Sequence, residues 1–194
     1  MIIRFVVLTP LLLILLTSGC APVIVGGVGT GVAVVHDRRP AGVVINDQEI
    51  RLKILGMLQD NPAYHGEADI GVTSYNQKVL LTGSVPSAEI GQRLVAEISQ
   101  MPLVKQVWNE LQVRDESNLR DELYDSYLTS RVKLALLNID SADFDATRVK
   151  VVTAFSTVYL MGLLTPEEIN AVTEAARKVP GVKRVVRLFE TPTH

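Results

Sequence analysis

Cysteine is nearly absent from this chain: Cys20 stands alone among 194 residues. No disulfide framework and no cysteine-based metal site can form within one chain. Aromatic residues make up only 5% and the formal charge is −2, so there is neither a stacking platform nor an electrostatic case for nucleic acid. Histidine is scarce too. His36, His65 and His194 share no metal-ligand spacing. Ser156 sits in no Gly-x-Ser-x-Gly elbow. Asp140, Asp143 and Asp145 resemble a calcium loop without its glycine and closing glutamate. The carboxylate pair Glu167-Glu168 is accounted for by a helix start. The expectation is a non-enzyme with no cofactor and no metal.

No apolar run is long enough to span a bilayer. Phe5 to Leu16 follows the positive Met1–Arg4 start and holds roughly twelve apolar residues, short of the ~20 a spanning helix needs. That length suits an export signal, here residues 1–19. Thr17-Ser18-Gly19-Cys20 closes it and resembles a bacterial lipobox, with Thr17 where leucine is usual and Leu16 one residue earlier. The resemblance implies a lipid-modified Cys20, carrying acyl chains of the palmitate type, and stable anchoring by several chains. Ala21 follows Cys20 in place of the aspartate that favours inner-membrane retention, so the periplasmic leaflet of the outer membrane is the expected address. Residues 20–45, rich in Gly and Val, read as a tether. The run Val25 to Gly31 lacks the Gly-Lys-Ser/Thr ending of a phosphate loop.

The remainder repeats. At an offset of 79, Val72, Val79, Leu81 and Gly83 meet Val151, Val158, Leu160 and Gly162. Upstream, Asp47, Ile50, Ile54 and Leu58 match Asp125, Leu128, Val132 and Leu136. Downstream, Pro102 and Val107 meet Pro180 and Val185. Each unit reads as helix, strand, strand, helix, strand, an α/β (α+β) unit with a small mixed sheet packed by two helices. The opening helices place apolar residues on one face; Val149-Val151-Thr153 alternates as a strand does. Thr165-Pro166-Glu167-Glu168 is a capped helix start, ending near Val179-Pro180-Gly181. The units occupy residues 46–114 and 125–191, joined by a linker at 115–124. At about 65 residues each, their cores are small enough that the copies are expected to pack together.

The hairpin ending in Gly83 or Gly162, the capped second helix, the segment Val158-Tyr159-Leu160-Met161-Gly162-Leu163 and the run Val179 to Val185 resemble the BON-domain family, named for bacterial OsmY and nodulation proteins. A lipobox followed by two such domains resembles the dual-BON outer-membrane lipoproteins. This resemblance implies phospholipid binding in support of envelope integrity. Family hairpins usually carry glycine at the turn, where this chain has Gln77 and Ser156. A turn with two positive φ angles would be strained without it, so longer loops or another turn type are expected. Gly83 and Gly162 are read as structural, letting the second strand leave towards the next helix.

The copies differ in charge. Residues 47–113 hold five Lys and Arg against eight Asp and Glu, and residues 125–190 nine against eight. The second copy is thus the better partner for an anionic phospholipid membrane. Within its first helix, Leu128 belongs to the core-facing stripe, while Tyr124, Tyr127, Arg131 and Leu134 lie roughly 120° away. With Lys133 nearby, Tyr124, Tyr127, Leu128, Arg131, Lys133 and Leu134 make the candidate phospholipid-binding set. Tyrosine and arginine suit a headgroup boundary. The first copy's helix has Asp47, Glu49, Arg51 and Lys53 and no aromatic. Alternatively, the tyrosines form an inter-domain seam and the protein is a scaffold for envelope proteins. A lesser cluster, Lys178, Lys183, Arg184 and Arg187, reads as a solvated rim or a second lipid contact.

Overall fold

The structure is a computed structural model that describes residues 37–64, 69–114, 119–141 and 143–192. The export signal, Cys20, the Gly/Val run and the three histidines lie outside the described residues. The described residues fall within one compact unit.

Two copies of one motif build it. The first opens with α1 (Ala41–Asp60), which starts earlier than the expected boundary because the Pro40 carbonyl accepts from Val43 and Val44. It continues with β1 (Asp69–Tyr75), β2 (Lys78–Val85), α2 (Ala88–Ser99), β3 (Gln106–Asn109) and β4 (Gln112–Val113). The second comprises α3 (Leu119–Leu137), β5 (Lys150–Ala154), β6 (Thr157–Leu163), α4 (Pro166–Arg177) and β7 (Arg184–Glu190). In each sheet an antiparallel hairpin is extended by a parallel strand: β1–β2–β3 with β4 also on β2, and β5–β6–β7. The α4 capping box forms as its sequence implies, with Thr165 and Glu168 satisfying each other's backbone N–H groups.

Each sheet buries both faces. One face meets the unit's own helices: Ile50, Ile54, Val72, Val79, Leu81, Leu94 and Ile98 in the first, Val132, Leu136, Val151, Val158, Leu160 and Val172 in the second. The other face meets the opposite sheet. Tyr75, Leu80, Tyr159, Met161 and Leu188 form this seam, flanked by Trp108, Val152, Ala154 and Val186. Polar ties frame it: Leu163 N–H donates to the Tyr75 hydroxyl at 3.2 Å, Lys78 pairs with Glu190 at 2.9 Å, and Arg184 pairs with Glu110 at 2.8 Å. Burial and the nearby Glu110 carboxylate, to which its hydroxyl donates, push the Tyr159 phenol up to about 12. At roughly 1.5–3 kcal/mol per fully buried large apolar side chain, the seam is a third core rather than a loose contact.

The hairpin turns correct the expectation of a longer loop. Both are two-residue turns with positive φ at each position: Asn76 (53°) and Gln77 (65°), Phe155 (51°) and Ser156 (61°). The strain, about 1–2 kcal/mol per residue, is offset by a carboxylate from the preceding helix. Buried Asp47 accepts from Asn76 N–H and Gln77 N–H at 2.8 and 2.7 Å, and from the Ser74 hydroxyl. Buried Asp125 accepts from Phe155 N–H and Ser156 N–H at 2.6 and 2.8 Å. The turn carbonyls of Gln77 and Ser156 accept from Lys105 and Lys183, pinning the start of the third strand.

Asp125→Ala should therefore destabilise the protein by about 3 kcal/mol, since charge-assisted bonds are each worth roughly 1.5–3 kcal/mol. Ser156→Gly should stabilise it by about 1 kcal/mol. Thermal or urea unfolding reads both; a neutral Asp125→Ala would show that the clamp does not hold the turn.

Candidate lipid-facing site

The clamp also fixes which way α3 faces. With Asp125 held at the turn, Leu128, Val132 and Leu136 turn inward and are essentially fully buried. Leu128 therefore leaves the candidate set: it is 0% exposed, packed beneath Gly181 in the connection from α4 to β7.

The opposite face is open. Tyr124 and Tyr127 are 44% and 54% exposed, with ring centroids 6.2 Å apart, and Leu134 is 56% exposed. Arg131 and Lys133 are exposed and make no ion pair among the described residues. Three further leucines, Leu119, Leu123 and Leu137, are exposed on the same helix and extend the stripe over its whole length. They were readable: 123, 127, 130, 134 and 137 repeat every three or four residues, with Ser130 the one polar position. The tyrosines are not the inter-domain seam. That role falls to Tyr75 and Tyr159, on strands where alternation alone does not say what covers each side.

Glycines shape the surroundings. At Gly83 (φ +102°) a Cβ would lie 1.9 Å from the Asp69 carbonyl oxygen, so β1 and β2 approach too closely for any side chain. At Gly162 it would meet the Arg148 carbonyl oxygen at 3.0 Å. Gly181 (φ +98°), read from the sequence only as part of a helix stop, seats the Tyr124 hydroxyl 2.3 Å from where its Cβ would be. In the basic rim, Arg184 is engaged with Glu110, while Lys178, Lys183 and Arg187 are exposed. Among the described residues no group of three His, Cys, Asp or Glu could hold a metal ion, and no helix is long and apolar enough to cross a membrane.

The model of the BON domain matches residues 46–115 and again residues 124–192. The chain belongs to the BON-domain family. Among its relatives, the outer membrane lipoprotein DolP of Haemophilus influenzae is 31% identical over 173 residues, 89% of each chain. The 21 kDa hemolysin of Actinobacillus pleuropneumoniae is 30% identical over 153 residues, 79% of this chain and 78% of that one. A solved structure of CdsD, a structural protein of the type III secretion system of Chlamydia trachomatis, aligns with 13% identity and a TM-score of 0.30 over 77% of this chain and 92% of that one, a likeness too loose to inform the site.

The segment entering the first BON domain touches both. Arg38 donates to the Leu163 carbonyl at 3.1 Å and grips the Glu168 carboxylate with two nitrogens at 2.5 and 2.9 Å, both in the second domain. Arg39 pairs with Asp47 at 2.7 Å and lies 3.9 Å over the Tyr75 ring, both in the first. Burial favours protonation of Glu168, but Arg38 and the Thr165 amide outweigh it and hold the carboxyl below its usual 4.5.

A lowered carboxylate contributes stability above the unfolded value and loses it as pH falls. Acidification through about pH 4.5 should therefore lower the thermal midpoint, and Glu168→Gln should flatten that fall while costing about 1 kcal/mol at neutral pH. An unchanged pH profile would mean that Arg38 is not held through Glu168.

Proposed function

We propose that this protein is a non-enzymatic lipoprotein of the outer membrane, anchored in the periplasmic leaflet through lipid-modified Cys20, whose second BON domain reads anionic phospholipid through α3 and so supports envelope integrity. The observation that carries the reading is the outer face of α3. Six large apolar or aromatic side chains stand exposed along it, beside the exposed Arg131, which makes no ion pair among the described residues. Burying such a stripe in water-excluded surface is favourable by roughly 1.5–3 kcal/mol per side chain. The amphipathic tyrosines suit the headgroup boundary, and each basic residue near an anionic surface adds roughly 1 kcal/mol. The relative named as an outer membrane lipoprotein supports the address. Weak binding by one helix face suffices once an acyl anchor supplies effective concentration.

The test is co-sedimentation of the protein beginning at Ala21, which retains every described residue, with vesicles of phosphatidylglycerol in phosphatidylcholine. The protein should pellet with them, less so in high salt, and weakly with phosphatidylcholine alone. Tyr127→Ala combined with Arg131→Ala should lower the affinity at least tenfold with the fold intact by circular dichroism, from roughly 1.5 kcal/mol of apolar burial and roughly 1 kcal/mol of charge. If the parent pellets with no vesicle, the lipid reading falls and the stripe is a docking face for envelope proteins.

A further inference from the structure

A polar hollow of about 220 Å³ lies at the N-terminal end of the exposed α3 stripe, beside the β5–β6 turn. Its lining comes from both domains. Arg114 closes the first; Asp121, Tyr124 and Asp125 on α3, the turn residues Phe155 and Ser156, and Lys183 before β7 belong to the second. The Asp125 clamp places most of them. It holds the turn through Phe155 and Ser156 N–H, and the Ser156 carbonyl accepts from Lys183 N–H at 2.9 Å, fixing where Lys183 leaves the backbone. The Phe155 ring meets Arg114 of the first domain, whose guanidinium lies 4.4 Å from the ring centroid. Arg114 is itself anchored, because its N–H donates to the Val85 carbonyl at 3.1 Å. Tyr124 precedes the clamp residue, and its hydroxyl lies over Gly181, where any side chain would collide with it.

The hollow gathers donors that lack acceptors. Lys183 is exposed and makes no ion pair among the described residues, and the Tyr124 hydroxyl makes no hydrogen bond among them. The ionic neighbour of Arg114 is Asp121 at 3.6 Å, beyond hydrogen-bond reach. Three donors around one hollow, two of them cationic, suit an oxyanion. The carboxylates limit the charge of that anion. Asp125 is occupied by the turn and Asp121 stands beside Arg114, so a singly charged phosphodiester fits better than a dianionic monoester. Tyr124 points to the source of the phosphate, since its ring stands beside Tyr127 on the apolar stripe. A phosphodiester held here sits where the acyl chains attached to it can run along α3. The first copy has no such seat: Asn46 and Asn76 stand at the positions equivalent to Tyr124 and Phe155.

We propose that Arg114, Lys183 and the Tyr124 hydroxyl form a headgroup seat, shared by both BON domains, that takes the phosphodiester of a phospholipid whose acyl chains lie along the α3 stripe. The proposal rests on the lipid reading above and extends it: the stripe supplies apolar burial, and the seat fixes the phosphate at one end of it. Recognition then depends on the assembled pair of domains, because one of the two cations comes from the first.

The experiment compares the protein beginning at Ala21 with Arg114→Gln, Lys183→Gln, Tyr124→Phe and the Tyr127→Ala, Arg131→Ala double variant on the same phosphatidylglycerol vesicles. Arg93→Gln, on α2 and outside the hollow, removes an equal charge and serves as the control; inorganic phosphate is the soluble probe. Arg114→Gln and Lys183→Gln should each lower vesicle affinity about fivefold. Tyr124→Phe, which keeps the ring on the stripe, should lower it about threefold. Arg93→Gln should change it by less than about twofold. Lys183→Gln and Tyr124→Phe should keep the parent's thermal midpoint, since neither removes a hydrogen bond or ion pair among the described residues. Millimolar phosphate should neither raise that midpoint nor displace the parent from vesicles. If Lys183→Gln and Tyr124→Phe bind as Arg93→Gln does while the double variant does not, the seat is overturned and the α3 reading stands. If those two lose binding and the double variant keeps it, the stripe falls and the phosphate seat stands. If phosphate alone stabilises the parent and Lys183→Gln abolishes the effect, the occupant is free phosphate and the lipid assignment is overturned. If the parent binds no vesicle, both readings fall.

Discussion

One buried carboxylate per domain, reaching from the first helix to a hairpin turn some thirty residues later, organises the rest of this protein. Asp47 and Asp125 each accept the two N–H groups of a turn whose residues sit in the left-handed region without being glycine. The bond set does three things at once. It tolerates a tight turn, which sets the hairpin register. It presents the turn carbonyl to the third strand. It also fixes the rotation of the helix about its own axis, and therefore which residues face the core and which face out. The exposed stripe of α3 depends on that rotation.

Much of this was legible in the sequence where the signal is local or periodic. The repeat, the capping box at Thr165, the strand alternation around Val151 and the inward set Leu128, Val132 and Leu136 each rest on neighbours within a few residues. The turns were not legible, because the missing glycine was weighed without the distant aspartate that compensates for it. The alignment of Asp47 with Asp125 held that information, since an acidic residue at a core position of a helix needs a buried partner. Small cores implied that the copies pack together, but the residues of the seam were hidden for another reason. A strand apolar on both sides announces two covered faces but not what covers them. The exposed members of the candidate set follow from helical spacing, and Leu128 was misplaced among them by sharing a helix, not a side, with the others.

The two copies have diverged in what they leave exposed. Opposite its core, α3 shows leucines and tyrosines; α1 shows Ile45 and Leu52, separated by charged residues such as the Glu49–Lys53 pair. Divergence of this kind is possible because the clamp and the sheet core occupy one side of each helix only. The other side is free to vary without disturbing the turn, so one architecture supports two surfaces of different character.

The paired arginines at the root of the first domain have a mechanical consequence. Arg38 grips the second domain and the next residue grips the first. Any tension carried up the preceding chain is thus divided between the domains within one residue, at the place where their sheets meet. It loads them in parallel, pressing both against a common hold, where a tether rooted in one domain alone would peel it from its neighbour.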